Sequence, residues 1–405
     1  MAKPEIRLKG FEGEWEDVCF RDITYLAGTK NRDNLPLPSY SITNENGFVP
    51  QNEQFENGGT MANADKRMYY IVTPDTFAYN PARINVGSIG YDDLDKDVIV
   101  SSLYVIFKTD CKTNNYFLDK WFKTPHFKKL INLYQEGGVR LYFFYDKLCQ
   151  CHLFRPELKE QQSIANYFKS LDSMIQGVTK KIASLKQMKQ ACLVSMFPQA
   201  GETTPRVRFK GFKGEWDKKL LSDCLEISNE KNLDNRFGKN DVLSVSDDFG
   251  VMNQIELLGR SYAGKSVSNY GILKTGEIVY TKSPLKSKPF GIVKQNTGKT
   301  GIVSVLYAVY YPKEGTAADY IHYYFDPDWR LNAYLRPLVN KGAKNTMNIS
   351  DETALTGHIM IPKDINEQKQ IASFFRSLDS QISLQEQRLE KLKQIKSACL
   401  DKMFV

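Results

Sequence analysis

Residues Glu160–Phe197 read EQQSIANYFKSLDSMIQGVTKKIASLKQMKQACLVSMF, and Glu367–Phe404 read EQKQIASFFRSLDSQISLQEQRLEKLKQIKSACLDKMF. The two stretches lie 207 residues apart without a gap, and 19 of their 38 positions are identical. Internal repetition of this kind outranks any local signal. In the first copy apolar residues fall at Ile164, Phe168, Leu171, Ile175, Val178, Ile182 and Leu185, then at Cys192 and Met196. The steps alternate between four and three, which is a heptad seam and not a strand period. The second copy follows with Ile371, Phe375, Leu378, Ile382, Leu389, Leu392, Cys399 and Met403. Lys189 and Lys396 hold the same seam position in both, and Gln385 interrupts the second. Pro198 and Gly201 end the first helix, and Asp364 followed by Glu367 reads as a capping box for the second. A helix of this length runs about 57 Å at about 1.5 Å per residue. Its apolar stripe needs cover throughout, and the nearest matching stripe is the other copy. Antiparallel packing of the two helices is therefore expected, with Ile164, Phe168, Leu171, Ile175, Ile371, Phe375, Leu378 and Ile382 in the contact.

The repeat extends outward. Pro4–Trp15 reads PEIRLKGFEGEW and Pro205–Trp216 reads PRVRFKGFKGEW, so nearly the whole chain is two halves, each a mixed segment followed by a long helix. The resulting division is residues 1–156, a central helix 157–200, residues 201–362 and a C-terminal helix 363–405. A solenoid is excluded, because the period is far too long.

In the first half Met68–Thr73, Thr76–Tyr79 and Val98–Phe107 predict strands, with Asn80–Gly87 (NPARINVG) a loop between them. Asn115–Trp121 and Pro125–Tyr134 predict helices, Gly137-Gly138 a break, and Val139–Phe144 and Leu148–Phe154 short strands. The second half repeats the order: strands at Glu277–Thr281 and Ile302–Tyr311, helices at Tyr320–Tyr324 and Trp329–Val339, a break at Lys341-Gly342 and a last strand at His358–Pro362. Thr24–Asn63, rich in Asn, Gly and Pro, reads as loops. Helices and strands alternate without a βαβ rhythm, so the expected class is α+β: two related α+β modules separated by two long antiparallel coiled-coil helices.

The chain has 405 residues, 41% of them hydrophobic and 25% charged, ordinary for a globular protein with real cores. No apolar run has transmembrane length and the start is polar, which points to the cytoplasm. Seven cysteines include no CxxC, so neither a zinc ribbon nor a disulfide framework is indicated. The net charge of +8 leans toward a polyanionic partner.

Motifs for catalysis are missing. Gly298-Lys299-Thr300 looks like the end of a phosphate-binding loop, but Val293 stands where that loop needs glycine. Asn80-Pro81 looks like the start of an adenine methyltransferase motif, but Ala82 and Arg83 follow, and the aromatic that would stack a flipped base is lacking. There is no G-x-G-x-x-G run, and His126, His152, His322 and His358 have no ligand spacing. What remains are basic, Asn- and Gly-rich loops. Candidate DNA contacts are Arg83 and Asn85 in NPARINVG, Arg140 after the Gly pair, Lys282, Lys286 and Lys288 in TKSPLKSKPFG, and Lys344, Asn345 and Asn348 in NKGAKNTMNIS. Arg and Lys neutralise phosphates or contact guanine, and Asn pairs with adenine.

The KGFxGEW opening of each half, the EQxxIAxxFxSLDxxI and LKQxKxACLxxMF ends of each helix, and KGAKNTMNIS together resemble the specificity subunit of type I restriction-modification enzymes. The resemblance spans essentially the whole chain in the family's order. It implies that each module is a target recognition domain reading one half of a split double-stranded DNA sequence. It implies that the helices form an antiparallel coiled coil that spaces the modules. Two modification subunits would dock on the helical region and methylate adenine at N6, and restriction subunits would add ATP-driven translocation and cleavage. S-adenosylmethionine, Mg and ATP would belong to those partners, leaving this chain without cofactor, metal or catalytic residue. Residues EGGVRLYFFYD of the first module depart from the family pattern. Two other readings are the recognition part of a single-chain restriction-methyltransferase and a coiled-coil scaffold without a nucleic-acid role.

Overall fold

The computed structural model describes residues 3–44, 46–54, 65–283, 288–341 and 347–405, with backbone alone at 340, 341, 347 and 348. It forms two compact units, residues 1–179 with 387–405, and residues 180–386. The long helices are Leu158–Ser195 and Ile365–Lys402, 38 residues each, with ends offset as the repeat requires. No helix among the described residues is long and apolar enough to cross a membrane.

In the first unit the early turns of the central helix meet the end of the C-terminal helix. The Phe168 and Phe404 rings lie 5.9 Å apart, and Lys396 reaches Asp172 at 2.5 Å. The second unit repeats this with roles exchanged: Phe375 meets Phe197 at 5.9 Å, and Lys189 reaches Asp379 at 2.8 Å. Start meets end in each unit, so the helices run antiparallel within it. The lysines in the heptad seam are thereby explained, since each ends on an aspartate of the other helix. Burial favours the neutral amine of Lys189, but Asp326 and Asp379 outweigh it and raise its pKa. Tyr116 and Tyr323 donate to the same carboxylates, Asp172 and Asp379, at 2.9 Å each. Ile164, Phe168 and Leu171 are buried in the first core, and Ile371, Phe375, Leu378 and Ile382 in the second. Ile175 is half-buried. Each stripe packs on a module as well as on the other helix.

The opening phrase of each half folds around an arginine. Arg7 forms two hydrogen bonds to the Glu160 carboxylate (2.8 and 2.7 Å) and Arg208 two to that of Glu367 (2.7 and 2.8 Å). The same guanidiniums donate to the Gly13 and Gly214 carbonyls at 2.6 Å. Glu367 is thus not the second member of a capping box. A buried carboxylate requires a full counter-charge, and a bidentate guanidinium supplies it better than one backbone N–H. Asp364 does cap the helix, accepting from Asn366 N at 2.8 Å. The neighbouring Gln161 and Gln368 each accept from a module backbone N–H, of Asn114 and Ala317, at 2.8 and 2.9 Å.

The first module contains a four-stranded antiparallel sheet in the order Thr24–Leu26, Val105–Thr109, Thr76–Tyr79, Ile89–Asp92. A five-stranded sheet beside it orders Thr29–Lys30, Tyr70–Val72, Val98–Val100, Ser39–Thr43 and Gly47–Pro50. The second module repeats the four-stranded sheet as Leu225–Ile227, Tyr307–Pro312, Ile278–Thr281, Val293–Gln295, and otherwise has short pairs such as Gly271–Leu273 with Gly301–Val303. In each half a strand after the opening phrase, Glu16–Cys19 or Asp217–Leu220, pairs with the strand entering the helix, His152–Arg155 or His358–Ile361.

Three expectations are corrected. Val98–Phe107 and Ile302–Tyr311 are each two strands in different sheets, because Ser101 and Ser304 cap turns by accepting from the Leu103 and Leu306 N–H groups at 3.4 and 3.3 Å. Described residues of Thr24–Asn63 hold several strands, invisible as a period because they are short; Tyr40, Ser41 and Ile42 are buried in succession. Residues 45 and 55–63 of that segment lie outside the described residues. Val139–Phe144 is not a strand: a lone bridge joins Glu136 and Tyr142, and Tyr145–Leu148 is helical. A Cβ at Gly137, where φ is +133°, would sit 2.1 Å from the Arg140 carbonyl, so the chain reverses there.

Two stability predictions follow from this packing. Leu171→Asp or Leu378→Asp places an unpaired charge in a buried seam and should cost about 3 kcal/mol or more; melting like that of the unaltered protein would refute the packing. Asp92 is buried with one carboxylate oxygen unpartnered, and burial raises its pKa to about 7. A carboxyl whose folded pKa is raised contributes stability at low pH that is lost as pH rises from about 4 through about 7. Asp92→Asn should therefore raise the melting temperature more at pH 8 than at pH 5, which thermal scans at both pH values will read.

Candidate nucleic-acid interface

In each module a loop and a turn emerge together at one end of the four-stranded sheet, and in the first a third segment joins them. In the first module Tyr79 pairs with Ile89 and with Val105, so the Asn80–Ser88 loop and the Ser101–Tyr104 turn emerge side by side. The loop is closed by its own hydrogen bonds, Asn80 N to Ser88 O (3.0 Å) and Arg83 N to Asn80 O (3.0 Å). The third segment is the reversal at Gly137–Leu141. It is docked on the loop by Phe143, whose N–H donates to the Pro81 carbonyl at 3.0 Å and whose ring is buried. The acidic run at Asp92, Asp93, Asp95 and Asp97 lies at the opposite end, where Asp92 pairs with Thr76.

Arg83 and Asn85 on the loop and Arg140 on the reversal are thus brought together, and all three are exposed. Among the described residues, no ion pair or side-chain hydrogen bond engages them, which leaves two guanidiniums and an amide exposed. Beside Arg140, Val139 is fully exposed. Sequence reading placed Val139 inside a strand; its exposure comes only from the chain reversal.

The second module assembles the corresponding loop and turn. Thr281 N donates to Ile292 O at 2.9 Å and Ile292 N to Thr281 Oγ1 at 2.8 Å, closing the loop that begins at Lys282. Gly291 has φ +83°, and a Cβ there would lie 1.9 Å from the Thr281 carbonyl. The Ser304–Tyr307 turn stands beside this loop, since Lys282 N donates to Leu306 O at 3.3 Å. A hairpin pairs Asn340–Lys341 with Met347–Asn348.

Charge is handled differently here. Lys282 is half-buried and its ammonium contacts Asp351 at 2.6 Å. Asp351 also accepts from Tyr310 through its backbone carbonyl at 3.1 Å. Lys288 contacts Asp247 at 2.9 Å and also Asp328. These two lysines tie segments of the module together, so their charges are already balanced. Lys286, Lys344, Asn345 and the side chain of Asn348 lie outside the described residues.

Nearby, Lys294 bonds Asp326 at 2.9 Å, and Lys189 bonds it at 3.0 Å, which holds the Asp326 carboxyl far below the usual range against its burial. His322 is packed against this cluster. Burial depresses its pKa to about 3, so it is neutral at physiological pH. Among the described residues no group of His, Cys, Asp or Glu is arranged to hold a metal ion, and all seven cysteines are free thiols.

Residues 214–394 match the family model of the type I restriction modification DNA specificity domain. A likeness of fold to solved structures extends over nearly the whole chain. An S subunit of a type I restriction-modification system from M. genitalium aligns with TM-score 0.58 at 12% identity, covering 100% of this chain and 99% of that one. A chain from a structure concerned with complex assembly and conformational transition of the type I R-M system aligns with TM-score 0.51 at 12% identity, covering 97% of this chain and 98% of that one. At such identity the likeness is one of fold. No curated protein sequence matches the chain.

The matched region contains the Lys282–Asp351 contact, and the first module carries the open side chains of Arg83 and Arg140. Arg83→Ala and Arg140→Ala should leave the melting temperature unchanged while weakening binding to duplex DNA. Lys282→Ala should lower the melting temperature as well, because it frees Asp351. Melting curves and DNA titrations of the three variants will separate the cases, and equal behaviour of all three would contradict the distinction.

Proposed function

We propose that this chain reads a bipartite, asymmetric double-stranded DNA sequence, one half-site per module, within a type I restriction-modification complex. It positions two modification subunits for N6-adenine methylation, and restriction subunits complete the assembly in the cytoplasm. The observation that carries this reading is the recurrence of one loop assembly at the same sheet end in both modules, with different side chains on it. A shared frame carrying two dissimilar polar surfaces suits a target whose two halves differ.

The chemistry of each surface supports the assignment. Outward guanidiniums at Arg83 and Arg140 can neutralise phosphates or bond guanine edges, and Asn85 can bond adenine. The acidic run sits at the far end of the first module's sheet, where it does not repel a bound backbone. S-adenosylmethionine, Mg and ATP are assigned to the partner subunits, and this chain contributes position and sequence choice.

The purified chain should bind duplex DNA with an affinity that falls steeply with salt, as counterion release demands. It should transfer no methyl group until modification subunits and S-adenosylmethionine are added. Sequencing of methylated sites from cells expressing an Arg83→Ala or Arg140→Ala variant reads the half-site assignment. Change should be confined to one half of the target; change in both halves, or methyl transfer by the lone chain, would sink the proposal.

A further inference from the structure

Most of the two module surfaces differ, but one exposed feature is built twice. Ser101-Ser102-Leu103-Tyr104 and Ser304-Val305-Leu306-Tyr307 form the same turn. In each, the tyrosine N–H bonds the first serine carbonyl, at 3.2 Å for Tyr104 and 2.9 Å for Tyr307. In each, the serine hydroxyl accepts from the leucine N–H. Each tyrosine then anchors the turn to its module: the Tyr104 hydroxyl accepts from Ile42 N at 3.3 Å, and Tyr307 packs against the cluster of Leu243, Leu273, Val279, Val303 and Val309. The outcome is a leucine held outward on a fixed support, 71% exposed at Leu103 and 59% at Leu306. A scattered exposed leucine needs no explanation. Two at equivalent places, each on a turn capped in the same way and held by its tyrosine, do.

Their position narrows the role. Both turns stand at the sheet end that carries the polar loops, Leu103 beside Asn80 through the Val105–Tyr79 pair and Leu306 against Lys282. If the loops face DNA, the leucines do too. A residue shared by modules that read different half-sites cannot choose between them, so its contact must be independent of sequence. An aliphatic side chain offers DNA one strong interaction of that kind, insertion between base pairs with partial unstacking.

We propose that Leu103 and Leu306 are matched wedges, one per module, that enter a base step beside each half-site and bend the duplex. The inference rests on the DNA-reading function proposed above. Unstacking draws on the contacts of the polar loops, and the bend brings more backbone against the module in return.

The test uses the full-length chain and a duplex selected by it from a randomised library, with 2-aminopurine substituted at steps flanking each half-site. Wild-type protein should raise the fluorescence of one probe on each side, as unstacking does. Leu103→Ser should abolish the rise on one side and Leu306→Ser on the other, each weakening binding about tenfold with an unchanged melting temperature. Leu→Met at either position, which keeps an aliphatic wedge, should restore both. A selected motif with no fluorescence rise, or a rise that survives the serine substitutions, overturns the wedges and leaves the DNA-reading function standing. Serine variants that bind DNA normally but no longer assemble with modification subunits also overturn them, making the leucines a protein contact. If the wild-type library yields no motif, the DNA-reading function and the wedges fall together.

Discussion

Each long helix begins with a carboxylate that cannot reach water. Glu160 and Glu367 are 1% exposed, and an unpaired charge so placed would cost several kcal/mol. Each is tolerable only because an arginine from the opening phrase of the same half, Arg7 or Arg208, lies against it with two hydrogen bonds. The start of each helix is therefore held by a segment 153 or 159 residues earlier in the chain, which lies folded back on it. Strands Glu16–Cys19 and Asp217–Leu220, which follow those phrases, close the same loop by pairing with the strand that enters the helix. The module is thus fixed to its helix at the helix's first turn.

Further along, the seam is polar where an apolar residue would be simplest. Lys189 and Lys396 each bond an aspartate on the facing helix, and that aspartate in turn accepts from a module tyrosine. A leucine in the lysine's place would cover as much surface but would not distinguish one register from another. A charge that must find one aspartate does so, as buried polar residues do in coiled coils. The pairs also join each module to both helices within its unit.

The second module adds Lys294, Asp326, Asp247 and Lys288 to this network, whereas the first uses Lys120 with Asp119 and Asp172. Asp119 and Asp326 are equivalent in the repeat, but the next residue is Lys120 in one and Pro327 in the other. Where Pro327 removed the cation, Lys294 supplies one from a neighbouring strand. The same electrostatic requirement is met from a different place in the chain, which shows that the charge balance is kept and not the residue.

Much of this was legible from one sequence. The repeat, the two long helices and the α+β class all follow from periodicity and spacing, because a helix of about ten turns imposes its period on every fourth or third residue. Asn80–Gly87 and Lys282 onward were legible as loops from their Pro, Gly and Asn content. The sequence could not say that Glu367 would leave its capping role for Arg208, since that depends on a partner 159 residues away. It could not show that Lys282 and Lys288 are spent on aspartates while Arg83 and Arg140 stay open, because counter-charge is set by which segments fold together. Nor could it separate the turns at Leu103 and Leu306 from the strands around them: their composition is that of a strand, and only a serine hydroxyl turned back onto the backbone makes them project. Local period determined the elements; pairing of buried charge and closure of turns, both settled by contacts distant in sequence, decided the surface they present.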